Sequence, residues 1–369
     1  MSTPLLLNPA LRNVPIYQGG RPIEEVAREM GLPAADIIKL ASNENPLGPS
    51  PAALAAMQRV ISSLHLYPDG NAFYLKRKLA EKLGLKPENL ILGNGSSEII
   101  EFAGHALLGP GVDAVMSQYS FLIYASVTRL FDANSIVVPA RNYAHDLPAM
   151  LAAITPRTKV VFVANPNNPT GTLASPEEIT RFVNAVPEGV LLVMDEAYIE
   201  FLEKPVDLLP LIRAGKPNLL IMRTFSKIFG LAGLRIGYGI ASPELIAGLE
   251  PVRPAFNVNS IAQAGALAAL EDDEHVRRTR SNNAEGLRQM SRGLRDLGLE
   301  YIPSAGNFIL ARVGDGKRVF EELQKAGVIV RPMGGYELPE WVRISIGTAK
   351  ENARCLAALQ QVLGQRVAD

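Results

Sequence analysis

Four short segments combine residue types that could do chemistry, and each lies where an apolar run gives way to polar residues. The first is Thr224-Phe-Ser-Lys227, followed eight residues after the lysine by Arg235. An isolated lysine is usually a solvated surface charge. A lysine among apolar neighbours at a strand end can instead hold a lowered pKa and act as an amine nucleophile. The second is Asp195-Glu-Ala-Tyr198 after the run GVLLVMD. A carboxylate there is partly buried and needs a cationic partner, for which a protonated ring nitrogen would serve. The third, Asn165-Pro-Asn-Asn-Pro-Thr-Gly171 after VVFVA, forces a turn that is either just a rigid loop or one that aims side chains into the crevice where α/β folds bind ligands. The fourth, Gly93-Asn-Gly-Ser-Ser-Glu98, exposes backbone N–H groups at a helix start, a place for a phosphate. It matches neither a GxGxxG nor a Walker A pattern.

These segments need a scaffold that brings strand ends together. Seven strands are expected at Leu90–Leu92, Ala114–Met116, Ser135–Pro139, Lys159–Ala164, Val190–Asp195, Leu219–Thr224 and Leu234–Ile240. Helical spacing lies between several of them, as in Ser97–Leu108 and Pro176–Val186. Continuously apolar strands imply burial on both faces, hence an α/β fold with a mostly parallel sheet flanked by helices. Ser175-Pro-Glu-Glu178 reads as a capped helix start. After about residue 250 one or two long helices are expected within Ala262–Leu297, then strands at Asn307–Val313, Val328–Pro332 and Trp341–Gly347, giving a smaller α+β domain. The expected divisions are 1–40 as an N-terminal arm that also contributes to the small domain, 41–255 as the large domain and 256–369 as the small one.

Composition narrows the function classes. The 369 residues contain 37 Lys+Arg and 37 Asp+Glu, so the basic excess typical of nucleic-acid binding is missing. The single cysteine, Cys355, excludes an intramolecular disulfide and any multi-thiolate metal site. His65, His105, His145 and His275 have no metal-ligand spacing. With no apolar run of membrane-spanning length and no signal-peptide pattern at the N-terminus, a soluble cytoplasmic protein is expected.

A lysine for a Schiff base, an aspartate for a pyridinium nitrogen and a helix start for a phosphate together describe a pyridoxal 5'-phosphate site. The order GNGSSE, NPNNPTG, DEAY, then the lysine and Arg235, resembles the fold-type I aminotransferases. LASNENPLGPSP, the YPDG at Tyr67–Gly70 and VRISIGT resemble, more narrowly, the histidinol-phosphate aminotransferase family. The resemblance covers residues 17–350.

It implies the following roles. Lys227 forms the covalent bond to the cofactor and moves the proton between substrate and cofactor. Asp195 pairs with the ring nitrogen, and Asn168 and Tyr198 meet the ring hydroxyl. Ser96, Ser97, Thr224, Ser226 and Arg235 hold the phosphate. Tyr67 reaches that phosphate from the neighbouring subunit, so the active form is a homodimer. Phe121 occupies the position of a ring-stacking aromatic, with Tyr119 as the alternative and a plain core aromatic as the bland reading. For the substrates, Arg343 takes the α-carboxylate, Arg331 and Tyr17 approach the distal phosphate, and Asn43 is a further substrate-binding candidate.

The implied reaction alternates glutamate/2-oxoglutarate with histidinol phosphate/imidazole-acetol phosphate. An aromatic-amino-acid aminotransferase or a threonine-phosphate decarboxylase would share every cofactor residue. A non-catalytic regulator on the same fold would be expected to lose the lysine or the aspartate and to append a DNA-binding domain; Asp195 and Lys227 are both present.

Overall fold

The computed structural model describes residues 10–11, 14 and 19–364. Its centre is a seven-stranded sheet of β1 (Leu90–Gly93), β2 (Asp113–Ser117), β3 (Asn134–Val138), β4 (Thr158–Ala164), β5 (Leu191–Asp195), β6 (Leu219–Thr224) and β7 (Gly237–Ile240). The spatial order is β1-β7-β6-β5-β4-β2-β3. β7 pairs antiparallel with both β1 and β6, and the remaining pairs are parallel. Both faces are covered. Ile99, Ile100, Phe102, Tyr124 and Phe162 pack on one side, and Val161, Val163, Phe182, Ile221 and Phe225 on the other. This is why these strands read as unbroken apolar runs rather than alternating ones.

Most expected strands differ from the structure by one or two residues at their ends, and two differ more. The segment expected as Leu234–Ile240 becomes strand only at Gly237, because Ala232–Leu234 is a 3-10 turn and Arg235 takes a left-handed backbone (φ 55). The run Val328–Pro332 divides between two sheets. Val328–Ile329 pairs with Ile38–Lys39, whereas Arg331–Pro332 pairs with Trp341–Ser345. The latter strand also pairs with Phe308–Arg312, which in turn pairs with Tyr301–Ile302, making a four-stranded antiparallel sheet in the small domain.

The helix start at Ser175 has its capping box: the Glu178 amide donates to Ser175 Oγ at 3.1 Å, and the Ser175 amide donates to the Glu178 carboxylate at 2.8 Å. The long charged segment forms two helices, Ser260–Ala269 and Asp273–Asp296. Ala262, Ala266 and Ala269 of the first pack into the large-sheet core, so that packing continues past residue 255. The second crosses to the small domain, where Met290 and Leu294 join Ile309, Ile344 and Leu359. Helix Ile23–Met30 buries Val26 and Ala27 with Ile37, Ala41 and Ile329, tying this helix to the small domain.

Candidate active site

The parallel strands β2, β4, β5 and β6 all end on one edge of the sheet, and the loops leaving them surround a cavity of about 400 Å³. Binding at this edge follows from topology, since neighbouring strand ends leave a crevice there. Lys227 and Asp195 both line it. Lys227 Nζ donates to the carbonyls of Ser42 and Asn43 at 3.3 and 3.2 Å and lies 5.7 Å from the centre of the Tyr198 ring. Burial, followed by the nearby Arg343 charge, lowers its amine to about 8, with Glu44 the main opposing charge. Asp195 is raised to about 6 by burial, against the Tyr124 hydroxyl, the Ala197 amide and Lys227. Tyr124 donates to Asp195 Oδ2 at 2.5 Å and the Ala197 amide to Oδ1 at 3.0 Å.

At the other end, Gly95 is the N-cap of helix Ser96–Leu107 and supplies no side-chain acceptor. The first-turn amides, with the positive end of the helix dipole, are thus available to an anion. Ser96, Ser97, Thr224, Ser226 and Arg235 all line the cavity. Two close approaches shape it. A Cβ at Gly95 would collide with the Arg235 guanidinium, and one at Gly237 would collide with the Ser96 amide nitrogen. Asn257 and Asn94 brace the turn from behind, Asn257 Nδ2 donating to Glu98 at 2.7 Å and Asn94 Nδ2 to the Asn257 carbonyl at 2.6 Å.

Phe121 lines the cavity, whereas Tyr119 stacks on Tyr143 at 5.8 Å and is not among the lining residues. Across the cavity the small domain supplies Arg331, Tyr336 and Arg343. Arg343 Nη1 donates to Asn168 Oδ1 at 2.7 Å and Nη2 to the Ala41 carbonyl at 2.9 Å. Asn43 lines the cavity too, but its amide is engaged: Nδ2 donates to the Tyr198 hydroxyl at 2.9 Å and Oδ1 accepts from Ser345 at 3.1 Å. Burial raises the Tyr198 phenol above its ordinary range, keeping it protonated at neutral pH. Tyr67 lies outside this cavity. It is 82% exposed and stacks on Phe256 at 4.8 Å, and Leu64, Leu66, Phe73 and Tyr74, near it in sequence, are exposed too. Tyr17 lies outside the described residues.

Residues 35–359 match the aminotransferase class I and II family. This chain belongs to that family. The aminotransferase is 51% identical over 364 residues to the histidinol-phosphate aminotransferase of Akkermansia muciniphila, which covers 98% of this chain and 100% of that one. It is 52% identical to histidinol-phosphate aminotransferase 2 of Ralstonia nicotianae, with 96% of each chain covered. Among solved structures, that of histidinol-phosphate aminotransferase from Sinorhizobium meliloti in complex with pyridoxal-5'-phosphate superimposes with a TM-score of 0.90, at 29% identity and 99% coverage of both chains.

The donor set of this aminotransferase fits pyridoxal phosphate on its own geometry. A cationic and amide-rich cradle, kept open by Gly95 and Gly237, faces one end of the cavity. A buried carboxylate faces another part of it, and an amine stands in the same cavity. Sequence reasoning missed Tyr124, Ser42, Glu44 and Tyr336. Ser42 and Glu44 stand within LASNENPLGPSP, where their types alone assign no role. Tyr124 follows Phe121 by three residues, but its helix, Leu122–Leu130, starts without a side-chain cap and so carries no start signal.

Proposed function

We propose that this aminotransferase moves an amino group between L-histidinol phosphate and 2-oxoglutarate, giving imidazole-acetol phosphate and L-glutamate, with pyridoxal 5'-phosphate as cofactor. The observation that carries the reading is the joint placement of Lys227, Asp195 and the Ser96–Arg235 cradle in one cavity walled by arginines, in a chain 51% identical to a histidinol-phosphate aminotransferase. Bound there, the cofactor supplies an aldehyde that takes up the amino group and a ring that draws electrons from the substrate carbon.

The protein's own groups do the rest. Asp195, held by Tyr124 and the Ala197 amide, presents a carboxylate that would keep the ring nitrogen protonated. Tyr198 and Asn168 would hold the ring hydroxyl. The low pKa of Lys227 leaves a large neutral fraction near pH 8, so the amine can act as nucleophile and then carry the proton at the substrate carbon. Arg343 binds the carboxylate of glutamate, and Arg331 the phosphate of the alternative substrate. Guanidinium groups suit both anions because their fork geometry matches carboxylate and phosphate oxygens.

The active form in this reading is a homodimer in the cytoplasm. The stretch from Leu54 to Tyr74 exposes Leu54, Ile61, Leu64, Leu66, Phe73 and Tyr74 as well as Tyr67, large apolar side chains of the kind that subunit contacts cover. A second subunit there would bring its own Tyr67 toward this phosphate cradle.

The test supplies histidinol phosphate alone to the purified holoenzyme. The expected result is one equivalent of imidazole-acetol phosphate per subunit, with loss of the visible absorbance of lysine-bound cofactor and its return on adding 2-oxoglutarate. A holoenzyme that ignores histidinol phosphate but turns over aromatic amino acids or threonine phosphate overturns the substrate.

A further inference from the structure

Behind the cavity lies a charged row to which the chemistry above gives no role. Asp195 is opposite Met222 in the β5–β6 ladder, and the Glu196 amide donates to the Met222 carbonyl at 2.9 Å. Glu196 therefore comes level with Arg223. Arg223 is in turn opposite Tyr238 of β7, and Thr224 is opposite Gly237. Side chains alternate across a sheet. Asp195 and Thr224 thus point into the cavity, whereas their chain neighbours Glu196 and Arg223 point away from it and meet. Arg223 Nε donates to Glu196 Oε2 at 2.9 Å, and Nη2 lies 2.8 Å from the same oxygen. The Glu196 side chain is 1% exposed.

Arg223 also faces the Tyr238 hydroxyl and the Glu200 carboxyl, but the carboxylate side of the pair is left incomplete. Glu196 Oε1 is buried with no hydrogen-bond partner, as is Oε2 of the nearby Glu200. Burial pushes Glu200 up to about 7. A buried ion pair is weak evidence for stability, because removing two charges from water offsets most of their attraction. What such a pair does provide is a fixed geometry between the two backbones that carry it.

We propose that Glu196 is a positioning residue for the cofactor: through its ion pair with Arg223 it fixes the spacing between the Asp195 carboxylate at the end of β5 and the Thr224 hydroxyl at the end of β6. The inference rests on the pyridoxal-phosphate reading above. A ligand gripped at its ring nitrogen and at its phosphate gains from the preset distance between the two grips. A fragment that uses only one grip gains nothing from it.

The experiment compares apo wild type with E196Q for three ligands: pyridoxal phosphate, inorganic phosphate, and 3-hydroxy-2-methylpyridine, which is the ring without aldehyde or phosphate. Affinities are measured by calorimetric or NMR titration, independently of turnover. E196Q is expected to bind pyridoxal phosphate about tenfold more weakly or worse, while each fragment stays within about twofold of wild type. Unchanged affinity for pyridoxal phosphate in folded E196Q overturns the inference, as does equal weakening of all three ligands, which marks general loosening. If E196Q does not fold, the neutral pair E196Q/R223M takes its place: a selective loss of pyridoxal phosphate supports the proposal, and wild-type affinity overturns it. A wild-type protein that binds inorganic phosphate but not pyridoxal phosphate defeats the cofactor reading instead.

Discussion

The hydroxyl of Tyr124 donates to Oδ2 of Asp195 at 2.5 Å across 71 residues of chain. Tyr124 is fully buried and lies nearly parallel to Phe162 of β4, ring centres 4.7 Å apart, a stack worth about 0.5–1.5 kcal/mol. The aromatic contact thus sets the phenol where the carboxylate needs a donor. Burial alone would push Asp195 higher than about 6; the Tyr124 bond is the first force opposing it. Removing that bond in Tyr124→Phe should raise the carboxylate pKa further. The expected outcome is that cofactor affinity, followed against pH, falls away at a higher pH on the acid side than in wild type, with kcat down about tenfold. An unchanged pH profile would mean that Tyr124 does not tune the Asp195 carboxylate.

Lys227 gives a signed pH prediction. Its amine titrates at about 8 in the folded protein against an ordinary 10.5. Between those values the unfolded chain holds the proton that the folded chain has released, so this group makes stability rise with pH across that window. Apo wild type should gain stability relative to apo Lys227→Ala as pH goes from about 8 to 10.5, measured as the difference between their melting temperatures. The same variant should stay folded and lose turnover, and its bound cofactor should lack the visible absorbance of the lysine-bound form.

Gly95→Ala tests the phosphate cradle. Gly95 has φ 73, and a Cβ there would meet the Arg235 guanidinium. Strain and displacement together should cost about 1–3 kcal/mol of stability and weaken cofactor affinity about tenfold or more, read by equilibrium dialysis. An alanine variant with wild-type affinity would mean that Arg235 does not hold the phosphate.

Arg343→Lys keeps the charge and loses the fork that meets Asn168 and the Ala41 carbonyl. The KM for glutamate should rise about tenfold or more, with the cofactor absorbance little changed. A rise in KM for histidinol phosphate alone would move the carboxylate role elsewhere.

Tyr67 is tested by mixing subunits. Lys227→Ala and Tyr67→Ala should each be poorly active, and their hybrid should regain activity, because one of its two sites then has both an intact lysine and an intact tyrosine. Hybrids no more active than the parents would confine Tyr67 to its own subunit's surface.

The residues that announce chemistry did so through a local conflict: polar groups directly after long apolar runs. Asp195 and Lys227 could be read this way because a strand that buries both faces must put its terminal polar residues at the sheet edge. The helix start at Ser175 was equally legible, since a cap and its partner lie three residues apart. Where the chain had to meet itself, the sequence carried no such signal. The late start of β7 follows from the left-handed turn at Arg235, whose guanidinium occupies the space left by Gly95, far earlier in the chain. The division of Val328–Pro332 between two sheets depends on Ile38–Lys39 arriving alongside. The engagement of Asn43 with Tyr198 and Ser345 and the bond from Tyr124 to Asp195 exist only after distant segments pack together. By itself the sequence determined the apolar strands of the large sheet to within a few residues and which strand ends bear a lysine, an aspartate or a glycine-rich turn, because those depend on periodicity and burial along the chain. Only the tertiary structure decided which distant side chain completes each group's hydrogen bonds, because that choice is set by contact between elements that share no local pattern.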